Sequence, residues 1–267
     1  MGCVKVFTDN WLDPAVLAGS TVTSVNASYP EENLYDNKRY KKFRTTSASA
    51  QRITWDLGFP GNPKGFVAIS DRNIPLKISP MATIKLEGNS TNAWGTPEFS
   101  VTIPWRDYVL GIWSSTGLHT SALRYWSLYI DDPLNPYSYI ELGEVFLGDW
   151  VELTRGCMIY PFTSRVNDNS VQFTSEGGQK HAIRRAKGQQ FQVEWRGLKK
   201  EELEELEDIF NYFGIHTPFF MSFDSDGAFS TEKESWLRFV RFKDSNSDFQ
   251  LSSPNNFGMT YEMEEEL

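Results

Sequence analysis

Residues 124–150, RYWSLYIDDPLNPYSYIELGEVFLGDW, constrain the fold more than any other part of the sequence. Apolar and polar residues alternate at the start of this segment, the alternation stops at a proline-rich turn, and it resumes before the final Gly-Asp-Trp. Successive side chains of a strand point to opposite faces of a sheet, so the pattern predicts two strands and their connection. The hydrophobic pattern also changes after residue 150, which predicts a domain boundary there.

Residues 1–150 contain no sustained repeat of 3.6 residues, so they predict strands and not helices. Residues 52–58 alternate, with Ile53, Trp55 and Leu57 on one face. Residues 65–69 are almost wholly apolar, as in a strand that is buried on both faces. Short strands between clusters of turn residues predict an all-β sandwich for residues 1–150.

The period of the pattern changes to that of a helix near residues 198–213. Its apolar residues at helical spacing are Leu203, Leu206, Ile209, Phe210 and Phe213. Glutamate and aspartate occupy the other face, and Gly214 is placed to end the helix. The acidic face is either solvated, with the apolar stripe covering a sheet, or a docking element, and the first interpretation is favoured. With strands on both sides of this helix, residues 151–267 predict a smaller β-rich domain, α+β or a sandwich with one covering helix.

Composition excludes several classes of protein. Hydrophobic residues make up 40% of the 267 residues and aromatic residues 15%, which excludes a disordered chain. The net charge of −9 argues against nucleic acid as a partner, because duplex binding needs clustered lysine and arginine. No apolar run of about 18 residues is present, so we expect no membrane span. The N-terminus has no apolar run typical of a signal peptide.

The residues that usually carry chemistry do not form a recognised pattern. Cys3 and Cys157 have no zinc-ligand spacing, and we expect them to stay reduced, as in a cytoplasm. The three histidines stand in unrelated segments without a nearby nucleophile or carboxylate at a recognised spacing. Asp131-Asp132 and Glu141 are a candidate acid–base set, but Asp131-Asp132 is better interpreted as part of a turn. We therefore expect no catalytic residue, no metal ligand and no cofactor.

Carbohydrate binding is the more specific hypothesis for a non-enzymatic site in the predicted sandwich. An aromatic face can stack on a sugar ring while arginine or asparagine binds its hydroxyl groups. The candidate residues are Arg72, Asn73, Trp94, Trp105, Arg106 and Trp113. The alternative is that the tryptophans pack in the core or at a contact between subunits, where aromatic residues are also enriched. This alternative is favoured for the tryptophans.

Several short motifs between residues 24 and 148 resemble the discoidin family of galactose-binding-like β-sandwiches. They are Ala27-Ser28, Asn33-Leu34 with Asp36, residues 43–45 (FRT), residues 55–58 (WDLG), residues 124–126 (RYW) and residues 142–145 (LGEV). The resemblance implies a discoidin-like β-sandwich over residues 1–150. Some members of that family hold calcium near the position of Asn33–Asp36. Asn37 stands here where they have glycine, so no calcium site is assigned.

A second resemblance covers both predicted domains. Residues 124–150 resemble the end of a discoidin-like domain of tailed-bacteriophage structural proteins, and residues 189–224 resemble the tail-component domain that follows it. Residues 71–74 (DRNI) are also similar to that group, although Arg72 stands where histidine is frequent. The resemblance implies a non-enzymatic structural protein of the virion tail, near the tail tip or baseplate, assembled in the host cytoplasm. Its implied partners are other tail proteins and copies of itself, in a ring. The alternative is a receptor module that binds a glycan of the host surface.

Overall fold

The computed structural model describes residues 4–70, 76–106, 108–152, 163–183, 185, 187–222, 237–244, 248–253 and 256–266. The described chain divides into two compact units. The first, which we call the sandwich unit, is Phe7–Trp150, and the second, the helix unit, comprises the described residues within 4–6, 151–222 and 237–266. The predicted fold class is confirmed, because the described residues are mainly strand with one α-helix.

The first eleven strands of the described chain lie wholly or mostly in the sandwich unit. They are β1 (Lys5–Asn10), β2 (Gly19–Val22), β3 (Phe43–Arg44), β4 (Gln51–Gly61), β5 (Gly65–Ile69), β6 (Thr83–Asn89), β7 (Phe99–Thr102), β8 (Val109–Trp113), β9 (Leu123–Asp131), β10 (Glu141–Leu142) and β11 (Val145–Glu152). A short 3-10 helix, Glu31–Leu34, precedes β3. The division between the units falls within β1 and within β11, so residues 5–6 and 151–152 belong to the helix unit.

Two sheets pack face to face in the sandwich unit. One has the strand order β2-β4-β9-β6-β7, and in the other β11 lies between β1 and β5, with β8 beside β5. Trp55 and Trp126 from the first sheet and Phe66 and Leu147 from the second are fully buried in one core. The rings of Trp55 and Phe66 lie 6.2 Å apart between their centroids. The short β3–β10 pair stands apart from both sheets.

The alternation of β4 explains how the first sheet forms its inner face. Ile53, Trp55 and Leu57 are buried, as predicted, while Arg52 and Asp56, which point to the other face, are partly exposed. All five residues of β5 are buried, as expected of its unbroken apolar run. The two long strands within residues 124–150 do not pair with each other: β9 is central in the first sheet and β11 pairs with β5 in the second. That segment therefore supplies a strand to each sheet.

The helix unit contains one α-helix and the remaining strands. These elements are β12 (Thr163–Asp168), β13 (Val171–Thr174), β14 (Lys180–Ile183), β15 (Lys187–Leu198), α1 (Lys200–Phe213), β16 (Phe219–Ser222), β17 (Leu237–Phe242), β18 (Asp248–Ser253) and β19 (Asn256–Glu265). The main sheet has the order β12-β15-β19-β17-β16, followed by Lys5 and Val6 of β1, and β18 also pairs with β19. β13 and β14 pair with each other in a separate sheet.

Helix α1 covers the core of this unit. Leu203, Leu206, Ile209 and Phe213 are buried, and the Tyr261 hydroxyl donates a hydrogen bond to the Leu206 carbonyl at 3.4 Å. The Glu202 carboxylate accepts from the Lys199 amide at 2.9 Å and caps the first turn. Gly214 ends the helix with a φ of 56°, as predicted. In the described part of the chain, no helix combines the length and apolar character needed to cross a membrane.

Candidate functional site

The structure does not bring the predicted sugar-binding tryptophans together. Arg72 and Asn73 lie outside the described residues. Gly65 pairs with Trp113 at one end of β5, and Ile69 pairs with Val109 at the other end. Trp105 precedes β8 and therefore lies toward the end opposite Trp113. The three tryptophans are thus spread over the sandwich unit.

The three tryptophans have local structural partners. The Trp113 ring packs edge-on against Phe7 with centroids 5.9 Å apart. The Trp105 indole donates to the Ile78 carbonyl at 2.8 Å, and its ring packs against the core. The Trp94 ring lies 4.9 Å from the Arg52 guanidinium carbon, on the outer face of the first sheet. Of the three rings, Trp105 packs against the core, and the role of the predicted sugar-binding residues stays a prediction.

Arg106 follows Trp105 in a group of loops that meet where β5 ends and β8 begins. We call this group the loop end; it comprises residues 37–42, 76–82, 103–106 and 132–140. Two hydrogen bonds connect the end of β5 to its neighbours: Arg39 Nε donates to the Ser70 carbonyl at 2.8 Å, and Ser70 N donates to the Tyr108 carbonyl at 3.1 Å. Two more connect residues 76–82 to residues 132–140: Asn135 Nδ2 donates to the Lys77 carbonyl at 2.7 Å, and Ser79 N donates to the Asp132 carboxylate at 2.7 Å. Loops joined in this way form a fixed surface.

A row of aromatic rings and cations runs from this surface to Arg44 in β3 and to Tyr29. The Lys77 ammonium lies 4.2 Å above the Tyr137 ring, and the Tyr137 and Tyr139 ring centroids are 6.1 Å apart. The Arg44 guanidinium carbon lies 4.9 Å from the Tyr139 ring and 3.8 Å from the Tyr29 ring. All five side chains are partly or fully open to solvent, and Tyr137 is 49% exposed. We call these five residues the tyrosine row.

Buried polar groups hold the tyrosine row in place. Asn135 is 8% exposed, and its amide donates to the carbonyls of Lys77 at 2.7 Å and Tyr139 at 3.1 Å. Its side-chain oxygen accepts from the Tyr137 amide at 2.8 Å. The buried Glu141 carboxylate accepts a charge-assisted hydrogen bond from the Arg44 guanidinium. Asn135 thus fixes the main chain at Lys77, Tyr137 and Tyr139, and Glu141 fixes the Arg44 side chain. The loops that present the rings are therefore held together by the protein itself.

Sequence reasoning missed the tyrosine row. Tyr137 and Tyr139 lie two residues apart within residues 124–150. This close spacing of two aromatic residues is the one sign of the row that the sequence contains. Tyr29, Arg44 and Lys77 are distant in the sequence, and no spacing rule connects them. Only the tertiary fold shows that these residues are neighbours.

The buried carboxyl group of Glu144 lies beside residues 37–42 of the loop end. Burial raises the pKa of Glu144 to about 9, and its neighbour Asp36 hydrogen-bonds to it. The Lys38 amide donates to the Glu144 carboxyl at 2.7 Å. Nearby, the buried Lys42 ammonium donates to the Arg39 carbonyl at 2.5 Å. Within the described ranges, no group of three or more histidine, cysteine, aspartate or glutamate residues could hold a metal ion.

The carboxylates and histidines considered for catalysis make local contacts. Asp131 accepts from the Ala50 amide at 2.9 Å, and Asp132 accepts from the Ser79 hydroxyl at 2.5 Å. The ring of His119 accepts from the Ser121 amide at 3.1 Å. The His181 ring stacks on Phe173 with centroids 5.3 Å apart. These groups stabilise turns and a hairpin.

Comparisons with known proteins gave structural neighbours only. No family model matches the sequence, and no curated protein matches it. Among solved structures, the chain is similar to the CBM32 of AlyQ in complex with 4,5-unsaturated mannuronic acid, with 18% identity, a TM-score of 0.37, and coverage of 49% of this chain and 94% of that one. It is also similar to the family 32 CBM of NanJ from C. perfringens in complex with galactose, with 10% identity, a TM-score of 0.41, and coverage of 55% and 99%. A third similar structure is the lectin domain of lectinolysin complexed with Lewis B antigen. Its identity is 14%, its TM-score is 0.41, and the match covers 54% of this chain and 99% of that one.

Proposed function

We propose that this protein is a non-enzymatic binding protein and that the tyrosine row of its sandwich unit binds a carbohydrate. The ordered row of Tyr29, Arg44, Lys77, Tyr137 and Tyr139 carries this proposal. Exposed aromatic faces beside a few fixed polar groups are the usual features of a small-ligand site. The apolar face of a sugar ring can stack on tyrosine while its hydroxyl groups hydrogen-bond to nearby cations.

The order of the row favours binding. A ligand that meets side chains already held in place does not have to order them, and the entropy cost of binding is therefore smaller. The Asn135 hydrogen bonds order the main chain that presents Tyr137 and Tyr139, and the Arg44–Glu141 pair orders the Arg44 side chain. Lys77 and Arg44 each lie near one of the two rings, and Tyr137 is still 49% exposed. The solvent-accessible parts of these rings are therefore available to a ligand.

A glycan array followed by calorimetric titration tests this proposal. We expect the protein to bind a subset of glycans and Tyr137→Ala to weaken that binding about tenfold or more, the factor that corresponds to about 1.4 kcal/mol. The matched control is Tyr212→Ala, because Tyr212 is 66% exposed and lies in the helix unit. Equal binding by both variants contradicts the site, and an array without signal from a folded protein contradicts the function.

A second candidate function is assembly. The exposed β13–β14 hairpin favours it, because both strands pair only with each other among the described residues and neither is buried. The more specific hypothesis, a structural protein of a bacteriophage tail tip or baseplate, rests on the sequence resemblance over residues 124–150 and 189–224. Localisation in the virion tail, assembly in the host cytoplasm and contact with other tail proteins belong to that hypothesis. Identification of the neighbouring chains in an intact particle tests it.

A non-enzymatic role is part of the proposal. Asp131, Asp132 and Glu141 were the carboxylates singled out for acid–base work, and each accepts a hydrogen bond or ion pair from the protein itself. We expect no turnover when any glycan that binds is incubated with the protein and followed by mass spectrometry. Release of shorter products would contradict this part of the proposal.

A further inference from the structure

The β13–β14 hairpin has an apolar face that no described residue covers. Val171 pairs with Ile183 and Phe173 pairs with His181, so these four side chains lie on the same face. Phe173 is 51% exposed and Ile183 is 53% exposed. A hairpin of two strands is only marginally stable in water, and apolar groups gathered on one exposed face mark interaction sites.

The segment that contains the hairpin is basic in an acidic protein. Residues 163–187 contain five lysine or arginine residues and two acidic ones, whereas the whole chain has a net charge of −9. The segment therefore carries a charge of +3 and the rest of the chain −12. Lys180 and Arg185 are exposed, and the structure describes no acidic partner for either side chain. This charge predicts an acidic surface as the partner of the hairpin.

The outer face of α1 has the complementary features. Glu201, Glu204 and Asp208 are exposed and lie at helical spacing on one side of the helix, opposite its buried apolar residues. Tyr212, one turn beyond Asp208, is 66% exposed. An acidic stripe that ends in an exposed aromatic ring matches a basic hairpin with exposed phenylalanine and isoleucine.

We propose that the β13–β14 hairpin of one copy of this chain docks on the outer face of α1 of a second copy. The two surfaces differ, so the contact is heterologous and builds a ring or an open chain of copies. The inference rests on the assembly function and is independent of glycan binding. Its charged contacts are exposed, so the association weakens as the salt concentration rises.

Charge reversal with mixing tests this contact. One variant carries Lys180→Glu and Arg185→Glu on the hairpin, and the other carries Glu204→Lys and Asp208→Lys on the helix. We expect the wild-type chain to associate at low salt and each variant alone to be monomeric, by light scattering coupled to size exclusion. An equimolar mixture of the variants should associate again, because each reversed surface then meets an opposite charge.

A control variant completes the test, and each of the other outcomes contradicts the proposal. The matched control is Lys38→Glu with Lys85→Glu, two cations of the sandwich unit outside the tyrosine row, and it should associate like wild type. A monomeric wild-type chain at low salt and high concentration overturns the inference. Association of the folded helix variant alone, or failure of the mixture to associate, excludes α1 as the docking surface. Glycan titrations of the same variants separate this result from the glycan proposal, because the tyrosine row is unchanged in all of them.

Discussion

The Glu144 side chain shows how one buried group links stability to pH. Burial raises the pKa of its carboxyl from the ordinary value of 4.5 to about 9, and the adjacent Asp36 adds to this increase. Below pH 4.5 the proton is bound in the folded and the unfolded chain alike. Between pH 4.5 and 9 the folded chain keeps a proton that the unfolded chain releases, so folding becomes less favourable as pH rises.

We therefore expect Glu144→Gln to stabilise the protein at pH 8 and to change little at pH 5. Glutamine keeps an acceptor for the Lys38 amide and, like the protonated acid, can donate to Asp36. The wild-type contribution falls by about 1.4 kcal/mol for each pH unit within the window, as an upper limit. Urea unfolding of both proteins at the two pH values measures the difference. Parallel pH dependence of the two stabilities would exclude a neutral Glu144.

Gly148 is a residue whose side chain must be absent. A Cβ placed there would lie 1.8 Å from the Asp9 carbonyl oxygen, because β1 passes close to β11 at this point. We expect Gly148→Ala to lower the free energy of unfolding by about 3 kcal/mol or more, the upper range for overpacking. Gly19→Ala is the control, because no heavy atom lies within 4 Å of a Cβ at that position. Chemical unfolding monitored by tryptophan fluorescence compares the two, and equal midpoints would contradict the clash.

At the scale of elements, α1 shows that a periodic pattern specifies an element and its buried face together. Its apolar residues recur every three or four positions, and these positions are the ones that face the sheet. The observed helix begins at Lys200, within two residues of the start predicted from the sequence. Both its ends have local causes, the Glu202 cap and the positive φ of Gly214, which depend on nearby residues alone.

We expect Leu206→Ala to destabilise the helix unit by about 2–5 kcal/mol. The Leu206 side chain is 2% exposed, and its removal leaves a cavity in the core. Tyr212→Ala in the same helix should cost less than about 0.5 kcal/mol, since surface substitutions remove few contacts. Urea unfolding followed by far-ultraviolet circular dichroism distinguishes the two. Similar losses in both variants would mean that α1 does not pack through its apolar face.

At the scale of the whole molecule, charge is unevenly distributed. The chain carries −9 overall with an isoelectric point near 5.0, while residues 163–187 carry +3. A net charge of one sign opposes non-specific aggregation at neutral pH, and this repulsion disappears where the net charge is zero.

We expect the solubility of the protein to pass through a minimum near pH 5, its isoelectric point. Measurement of the soluble fraction after equilibration across a pH series tests this. The charge-reversed hairpin variant is the informative comparison, because its two substitutions remove two positive and add two negative charges and so move the isoelectric point, and hence the minimum, to lower pH. A minimum that does not move would mean that net charge does not control solubility here.

Strands, the helix and their buried faces depend on residues that are close together in the chain, and these features could be predicted from the sequence. The alternation of Ile53, Trp55 and Leu57 predicted a strand with one buried face, and the spacing of the leucines predicted α1. The mainly β fold class followed from the same patterns.

Properties that depend on which strands become neighbours were decided by the tertiary structure. The sequence predicted the two long strands of residues 124–150 but not their separation into different sheets, because alternation specifies a face and not a partner strand. It likewise did not show that Lys5 and Val6 pair with β16. The tyrosine row joins positions 29, 44 and 77 to residues 137 and 139, which meet only after the loops have folded onto one end of the sandwich unit. Local periodicity thus determined the elements, and long-range pairing determined the candidate site.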